Sequence, residues 1–310
     1  ITSHKTRTAR KGFLVEITHS DGKKGVGESA PMPEMGSESL DHCANTLDTL
    51  KSLSKHHAPE DLLQQLHSYR DHAPAACCGV ESALINVLAR QSKLSLNRWM
   101  SPDAPRNIRV NQMAGTLDNP IIDPEGGPIL KLKVGISQIE DELRQLHQFT
   151  ATINNGEQLR LDANQAWNME EATRFINGIH SLPIESIEEP LRNPDLNAIH
   201  LLQEKSGLII ALDESIHKIG IDSILQDGRL RRVILKPTLI GGPWTTFRIA
   251  KQFQQKGIEV VITSLLESSI GIISAAHCAA AVDPQQKQAH GLATASWLAE
   301  DLSIAPVIKD

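Results

Sequence analysis

From about residue 105 onward the chain alternates two apolar patterns. Short runs have the length and composition of buried strands: ILKLKV (129–134), QLRLDAN (158–164), IESIEEP (184–190), GLIIALDES (207–215), RRVILKP (231–237) and GIEVVITS (257–264). Between them apolar residues recur at helical spacing, as Ile139, Leu143, Leu146 and Phe149 do in 136–153. The stretches MEEATRFINGIHSL (169–182) and TTFRIAKQFQQKG (245–257) behave likewise, the second stopping on Gly257. Strand then helix, repeated, predicts βα units and a parallel sheet, either open and doubly wound or closed into a barrel.

Residues 1–100 read differently. KGFLVEIT (11–18) and KKGVGES (23–29) predict a hairpin, and 38–53, 60–69 and 78–91 predict helices. This α+β pattern predicts a separate lobe, with the proline-bearing MSPDAPRN (100–107) as the junction to a βα domain over 105–291.

The polar residues favour a closed ring. Lys133, Asp162, Glu188, Asp213 and Lys236 each end one apolar run, at separations of 29, 26, 25 and 23 residues. About that length makes one βα unit of a barrel. Charged residues at consecutive strand ends converge only if the strands close. In an open sheet they would be strung along an edge.

Three acids on successive strands, Asp162, Glu188 and Asp213, would repel one another unless a cation joined them. Oxygen-only ligands favour Mg²⁺, Mn²⁺ or Ca²⁺ over zinc. Asn164, one pleat beyond Asp162, is a candidate to position a ligand or a metal-bound water. Glu189 and Glu214 directly follow an acid, so alternation predicts that they point away, as supporting or salt-bridging groups. Lys131 and Lys133 share a strand face. Lys133 and Lys236 flank the acids in chain order, and around a ring they would face each other. A cation and a second lysine nearby would lower a lysine's pKa, suiting Lys133 to proton transfer at neutral pH, with Lys131 lowering and steadying its neighbour. The blander alternative has the lysines only neutralising the acid cluster.

ITSLLESSIG (262–271) ends a strand and opens a helix. Ser264, Glu267, Ser268 and Ser269 are candidate contacts for a substrate carboxylate there, against ordinary helix capping by the serines. The basic stretch KTRTARKG (5–12) is a candidate lid over an anionic substrate.

A net charge of −6 provides no basic surface for nucleic acid or an anionic membrane. No apolar run reaches the roughly 18 residues of a membrane span, and no signal peptide is visible. Cys43, Cys77, Cys78 and Cys278 fit neither a zinc pattern nor a disulfide framework, which predicts reduced thiols in the cytoplasm. The histidines show no HExxH spacing, and His56, His57 and His72 lie in polar stretches. The first residue is Ile rather than Met, which we read as a truncated or processed start.

In this order, KLKVG (131–135), RLDANQAW (160–167), IEEPL (187–191), ALDES (211–215), ILKPTLIGG (234–242) and SLLESSIGI (264–272) resemble the enolase superfamily, in its muconate-lactonizing-enzyme subgroup. The resemblance spans nearly the whole chain. It implies a modified TIM barrel, (β/α)7β, with an α+β capping domain built from residues 1–100 and a returning tail at about 292–310. It makes Asp162, Glu188 and Asp213 ligands of Mg²⁺, with Mn²⁺ as a possible substitute. Lys133 becomes the acid/base, Lys236 the opposing cation and Lys131 a supporting charge, since superfamily sites pair a Lys or His base with Mg²⁺. RLDANQAW, KPT and ESSIG are most similar to the dehydratases that make 2-succinylbenzoate for menaquinone biosynthesis. Racemisation of N-acylamino acids or epimerisation of dipeptides by the same lysines is the alternative, and a non-catalytic metal-binding barrel is a third. Two departures stand out: the strand expected before KTRTARKG is missing, and Ala293 in HGLATASWL stands where relatives often carry an acid.

Overall fold

The computed structural model describes residues 9–123, 126–294 and 297–302. Strands β1 (Phe13–Thr18) and β2 (Lys24–Ser29) form the predicted antiparallel hairpin, pairing Phe13 with Ser29 and Thr18 with Lys24. Helices α1 (Leu40–Ser54), α2 (Pro59–Gln65), α3 (Pro74–Gln91) and α4 (Leu96–Met100) follow. The hairpin lies directly on α3. A Cβ at Gly25 would sit 1.9 Å from the Ala83 carbonyl oxygen, and one at Gly27 2.1 Å from that of Gly79. Only glycine permits this approach of backbone to backbone.

The second part contains β3 (Gln112–Thr116), the short β4 (Asn119–Pro120), β5 (Ile129–Lys133), α5 (Ile139–Thr150), β6 (Gln158–Asp162), α6 (Met169–Gly178), β7 (Ile184–Glu188) and α7 (Leu196–Ser206). It continues with β8 (Ile209–Leu212), α8 (Ser215–Ile219), α9 (Ile221–Asp227), β9 (Arg232–Leu235), α10 (Pro237–Ile240), α11 (Pro243–Gln255), β10 (Glu259–Ile262) and α12 (Ser269–Val282). Some helices start where a side chain satisfies a free backbone donor, as Ser39 does at α1 and Asp195 at α7, and Asn168 and Glu171 form a reciprocal capping box at α6.

Strands β3 and β5 to β10 are parallel neighbours in order. The ring closes through His290 and Gly291, which bridge Val110 before β3 and Thr263 after β10. Asn111 N donates to His290 O at 3.0 Å and Gly291 N to Ile262 O at 2.9 Å. The result is an eight-stranded barrel of the expected class. Among its described residues the first crossover, from β3 to β5, carries the hairpin strand β4 in place of a helix.

One apolar core runs outside the ring and continues into the first lobe, joining Ile85, Ala89, Leu96 and Met100 to Leu130, Leu161, Leu212 and Val260. The barrel interior is largely polar. Arg160 and Arg232, 2% and 3% exposed, share Glu185; Arg160 Nε lies 3.1 Å from Glu185 Oε2, and Arg232 Nε donates to Glu259 at 2.9 Å. Burial opposes the charge on Glu185, but the two guanidiniums outweigh it and hold its pKa at about 2. Among the described residues no helix is long and apolar enough to cross a membrane.

Candidate active site

The strand register sets the site. Lys133 pairs with Asp162 and Asp162 with Glu188, so three charged side chains stand level at the C-terminal ends of β5, β6 and β7. Asp213 follows β8 directly and Lys236 follows β9. Three strands separate β5 from β9 in either direction around the ring, so Lys133 and Lys236 stand on opposite walls. Active sites of such barrels lie at this end.

The structure divides the three lysines among different partners. Lys131 Nζ donates to Glu188 Oε1 and Oε2 at 2.8 and 2.7 Å and lies 3.0 Å from Asp162 Oδ2. Lys236 Nζ pairs with Asp213 Oδ1. Lys133 Nζ instead donates to a neutral acceptor, Asn164 Oδ1.

Burial disfavours the charge on Lys131 and Lys236, but the surrounding carboxylates outweigh it, and both lysines are held above the ordinary lysine range rather than below it. Lys131 is accordingly a counter-ion of the acids. Burial, with Asp162 beside it, pushes Glu188 up to about 8 despite Lys131. Burial also raises Asp162, yet Lys131 and then Lys133 bring it below its ordinary value.

Asn164 lies on Lys133 in the place expected of a ligand contact. Its Nδ2 donates to Glu214 Oε1 at 3.3 Å, and its N–H donates to Asp162 Oδ1 at 3.1 Å. The backbone here is left-handed: φ is 42° at Asn164, 62° at Gln165 and 47° at Glu189. Such strain at strand ends marks sites where surrounding structure dictates side-chain placement.

Glu189 points away from the carboxylates, as alternation predicts. It accepts from Asp213 N, Ser215 N and Ser215 Oγ at 2.7, 2.8 and 2.5 Å, so it holds the loop that carries Asp213. Burial, and then the charge on Glu214, push it up to about 8. Glu214 does not follow the alternation. Its backbone is already helical at φ −66°, ψ −26°, which turns the side chain toward Asn164. Its Oε2 is buried without a hydrogen-bond partner among the described residues.

The stretch after β10 also departs from the expectation. Ser268 N and Oγ donate to Glu28, at 3.1 and 2.5 Å to Oε2, and Ser269 N donates to Asp301 Oδ1 at 3.0 Å. The α12 N-terminus is thus filled by the protein's own carboxylates, and Ser268 is the N-cap. Glu267 is buried, accepting from Thr238 Oγ1 and Leu265 N, both at 2.5 Å. Ser264 Oγ lies 2.6 Å from Thr294 Oγ1. These four residues build the wall of the mouth, and the hydrogen bonds that were expected to bind a ligand are made within the chain.

One support escaped the sequence reading. Glu142, 2% exposed, accepts from Gly135, Ile136 and Ser137 N at 2.8, 2.7 and 3.0 Å and so fixes the loop after Lys133. Its signal was an acid in the first turn of α5, which ordinarily reads as a dipole effect. Arg10 joins the N-terminal segment to the mouth, with Nε donating to Leu266 O at 3.1 Å and Nη1 to Pro31 O at 2.7 Å. The earlier part of the candidate lid, residues 5–8, lies outside the described residues, as do residues 303–310 of the tail.

The acids suit a divalent cation in donor type: oxygen-only, from three neighbouring strand ends. Glu188's raised pKa shows that protein groups alone incompletely offset its charge. Among the described residues they form no ready-made cage, because Lys131 and Lys236 hold them.

Barrel, cap and strand-end lysines and acids define one class. The chain belongs to the enolase superfamily: residues 121–310 match the family described as enolase C-terminal domain-like, and residues 1–87 match the MenC N-terminal domain. It is 28% identical over 285 residues to o-succinylbenzoate synthase of Aliivibrio fischeri, covering 89% of this chain and 80% of that protein. It is 27% identical over 297 residues to L-Ala-D/L-Glu epimerase of Bacillus subtilis, covering 90% and 80%. The match to the chloroplastic protein PHYLLO of Arabidopsis thaliana, at 27% identity, covers 94% of this chain but only 20% of that protein. Among solved structures, a substrate-liganded complex of the Bacillus subtilis epimerase superposes with a TM-score of 0.80 at 23% identity, covering 93% and 83%. Muconate lactonizing enzyme from Pseudomonas putida gives 0.77 at 22%, covering 93% and 84%.

Proposed function

We propose that the protein is an o-succinylbenzoate synthase, a Mg²⁺-dependent dehydratase that converts 2-succinyl-6-hydroxy-2,4-cyclohexadiene-1-carboxylate to 2-succinylbenzoate. The observation that carries this reading is the unequal state of the two opposed lysines. Lys236 is ion-paired to Asp213, whereas Lys133 rests on the neutral amide of Asn164. A racemase needs both lysines to exchange substrate protons, one on each face. A syn dehydration needs one mobile base and one fixed cation.

Asp162, Glu188 and Asp213 would hold Mg²⁺, which supplies positive charge toward the substrate carboxylate when bound. Lys133 Nζ, as the free amine, takes the proton α to that carboxylate. The Lys236 ammonium faces the carboxylate from the opposite wall and offsets charge as it develops. The proton on Lys133 Nζ then passes to the departing hydroxyl on the same face, which leaves as water. Asn164 aims Lys133, and Glu189 holds the Asp213 loop.

The sequence relatives include both synthases and epimerases at similar identity, so the lysine asymmetry is the support for preferring the dehydratase. A Lys236→Arg variant tests it. The dehydratase reading expects lost product formation with continued exchange of the α-proton in D₂O. Racemisation of an N-acylamino acid or dipeptide by the wild type, with both lysines exchanging, would replace the reading.

A further inference from the structure

We propose that the groove between the outer face of α12 and the segment 95–110 is a second ligand site, which takes a small aromatic or alicyclic carboxylate. It shares no lining residue with the barrel mouth. Its volume is about 490 Å³, within the range of small-molecule sites.

The floor is apolar. Ile272, Ala276 and Ala280 come from successive turns of α12, and Val110 and Leu292 join them from the closing strands of the barrel. Ile273, on the same stretch of α12, is 39% exposed. A surface of this kind favours a flat hydrocarbon body.

The rim is cationic. Arg98, Arg106 and His277 line the groove, and no Asp or Glu lines it. Some arginines of the chain pair with carboxylates, as Arg70 does with Glu81 and Arg232 with Glu259, and others donate to backbone carbonyls, as Arg90 does to Lys24 O and Arg231 to Gly207 O. Arg98 and Arg106 have no such partner among the described residues. In a chain of net charge −6, an acid-free pocket with two uncommitted guanidiniums selects an anion. The planar guanidinium matches a carboxylate with two parallel hydrogen bonds and also stacks on a ring. Burial keeps His277 below its ordinary pKa, so at neutral pH it meets the ligand as a neutral hydrogen-bonding ring.

The probe is 2-naphthoate, titrated into the Mg²⁺-supplemented protein and followed through the methyl resonances of Ile272 and Ile273, which report this groove and not the mouth. Saturable shifts of both methyls are expected. An Arg98→Ala, Arg106→Ala double variant, with unchanged melting temperature, should bind at least tenfold more weakly by those resonances. Neutral 2-naphthalenemethanol should bind the wild type at least tenfold more weakly than the anion. Equal affinity of the double variant, or equal binding of the neutral alcohol, would overturn the proposal. So would methyl shifts that depend on protein concentration and ignore the probe, since the groove would then be a contact between copies of this chain.

Discussion

Lys131 Nζ lies 2.7 Å from Glu188 Oε2 and 3.0 Å from Asp162 Oδ2, so the deeper of the two β5 lysines is the counter-ion of the carboxylates. The lysine at the strand's end is left to a neutral amide. Two like residues on one strand face therefore have different partners, and in the proposed mechanism the first serves an electrostatic end and the second a chemical one.

Replacing Lys131 by Met should leave Asp162 and Glu188 facing each other without a cation. Breaking a buried pair in this way costs about 3–5 kcal/mol. The expected outcome is a melting temperature well below wild type without Mg²⁺, and a larger upward shift than wild type on adding Mg²⁺. Thermal denaturation with and without the ion reads both. An unchanged melting temperature would remove Lys131 from its role as counter-ion.

Asp162→Asn keeps the shape of the side chain and removes one negative oxygen donor. Calorimetric titration should show weaker Mg²⁺ binding, with turnover abolished and the barrel still folded. Unchanged affinity would take Asp162 out of the proposed metal set.

Lys133→Ala should keep the fold and lower turnover about a hundred- to ten-thousandfold, the range supplied by a positioned acid/base. Asn164→Leu should act through the same lysine. We expect kcat about ten- to a hundredfold lower with KM little changed, since supporting contacts of this kind are worth about that much. A merely structural Asn164 would instead lower stability and leave kcat per folded molecule intact.

His290 closes the barrel, accepts from Ile262 N at 3.0 Å through Nδ1, and is 1% exposed. Burial, and then Arg160, lower its pKa to about 3, and Asp283 at 3.9 Å does not restore the charge. The unfolded chain takes up this proton near pH ~6.5 and the folded one only near 3. Stability should therefore fall as pH drops through that window, by up to about 1.4 kcal/mol per pH unit from this group, with no contribution above it. Chemical denaturation between pH 4 and 8 should show a shallower acid slope in His290→Asn than in wild type. Parallel slopes would contradict the assignment.

Much of this was legible in the sequence because it depends on spacing. Strand ends recurring at barrel length placed Lys133, Asp162, Glu188, Asp213 and Lys236 at one rim, and the register confirms that level for the first three. What was not legible depends on backbone geometry at the rim itself. Alternation predicted Glu189 because β7 runs in unbroken register with β6 from Ser186 to Glu188, and failed for Glu214 because the chain has already turned helical there. The serines after β10 read as an anion site because nothing in their neighbourhood shows that Glu28, 240 residues earlier, fills the helix end. Nor do composition and spacing show the Arg160–Glu185–Arg232 network, whose members are apart in sequence and meet only inside the closed ring.

The most direct test of the account is incubation of the protein with 2-succinyl-6-hydroxy-2,4-cyclohexadiene-1-carboxylate and Mg²⁺, following loss of the diene absorbance and formation of 2-succinylbenzoate. We predict rapid dehydration that a chelator stops and that Lys133→Ala lacks. No dehydration by a folded, Mg²⁺-binding wild type would contradict it.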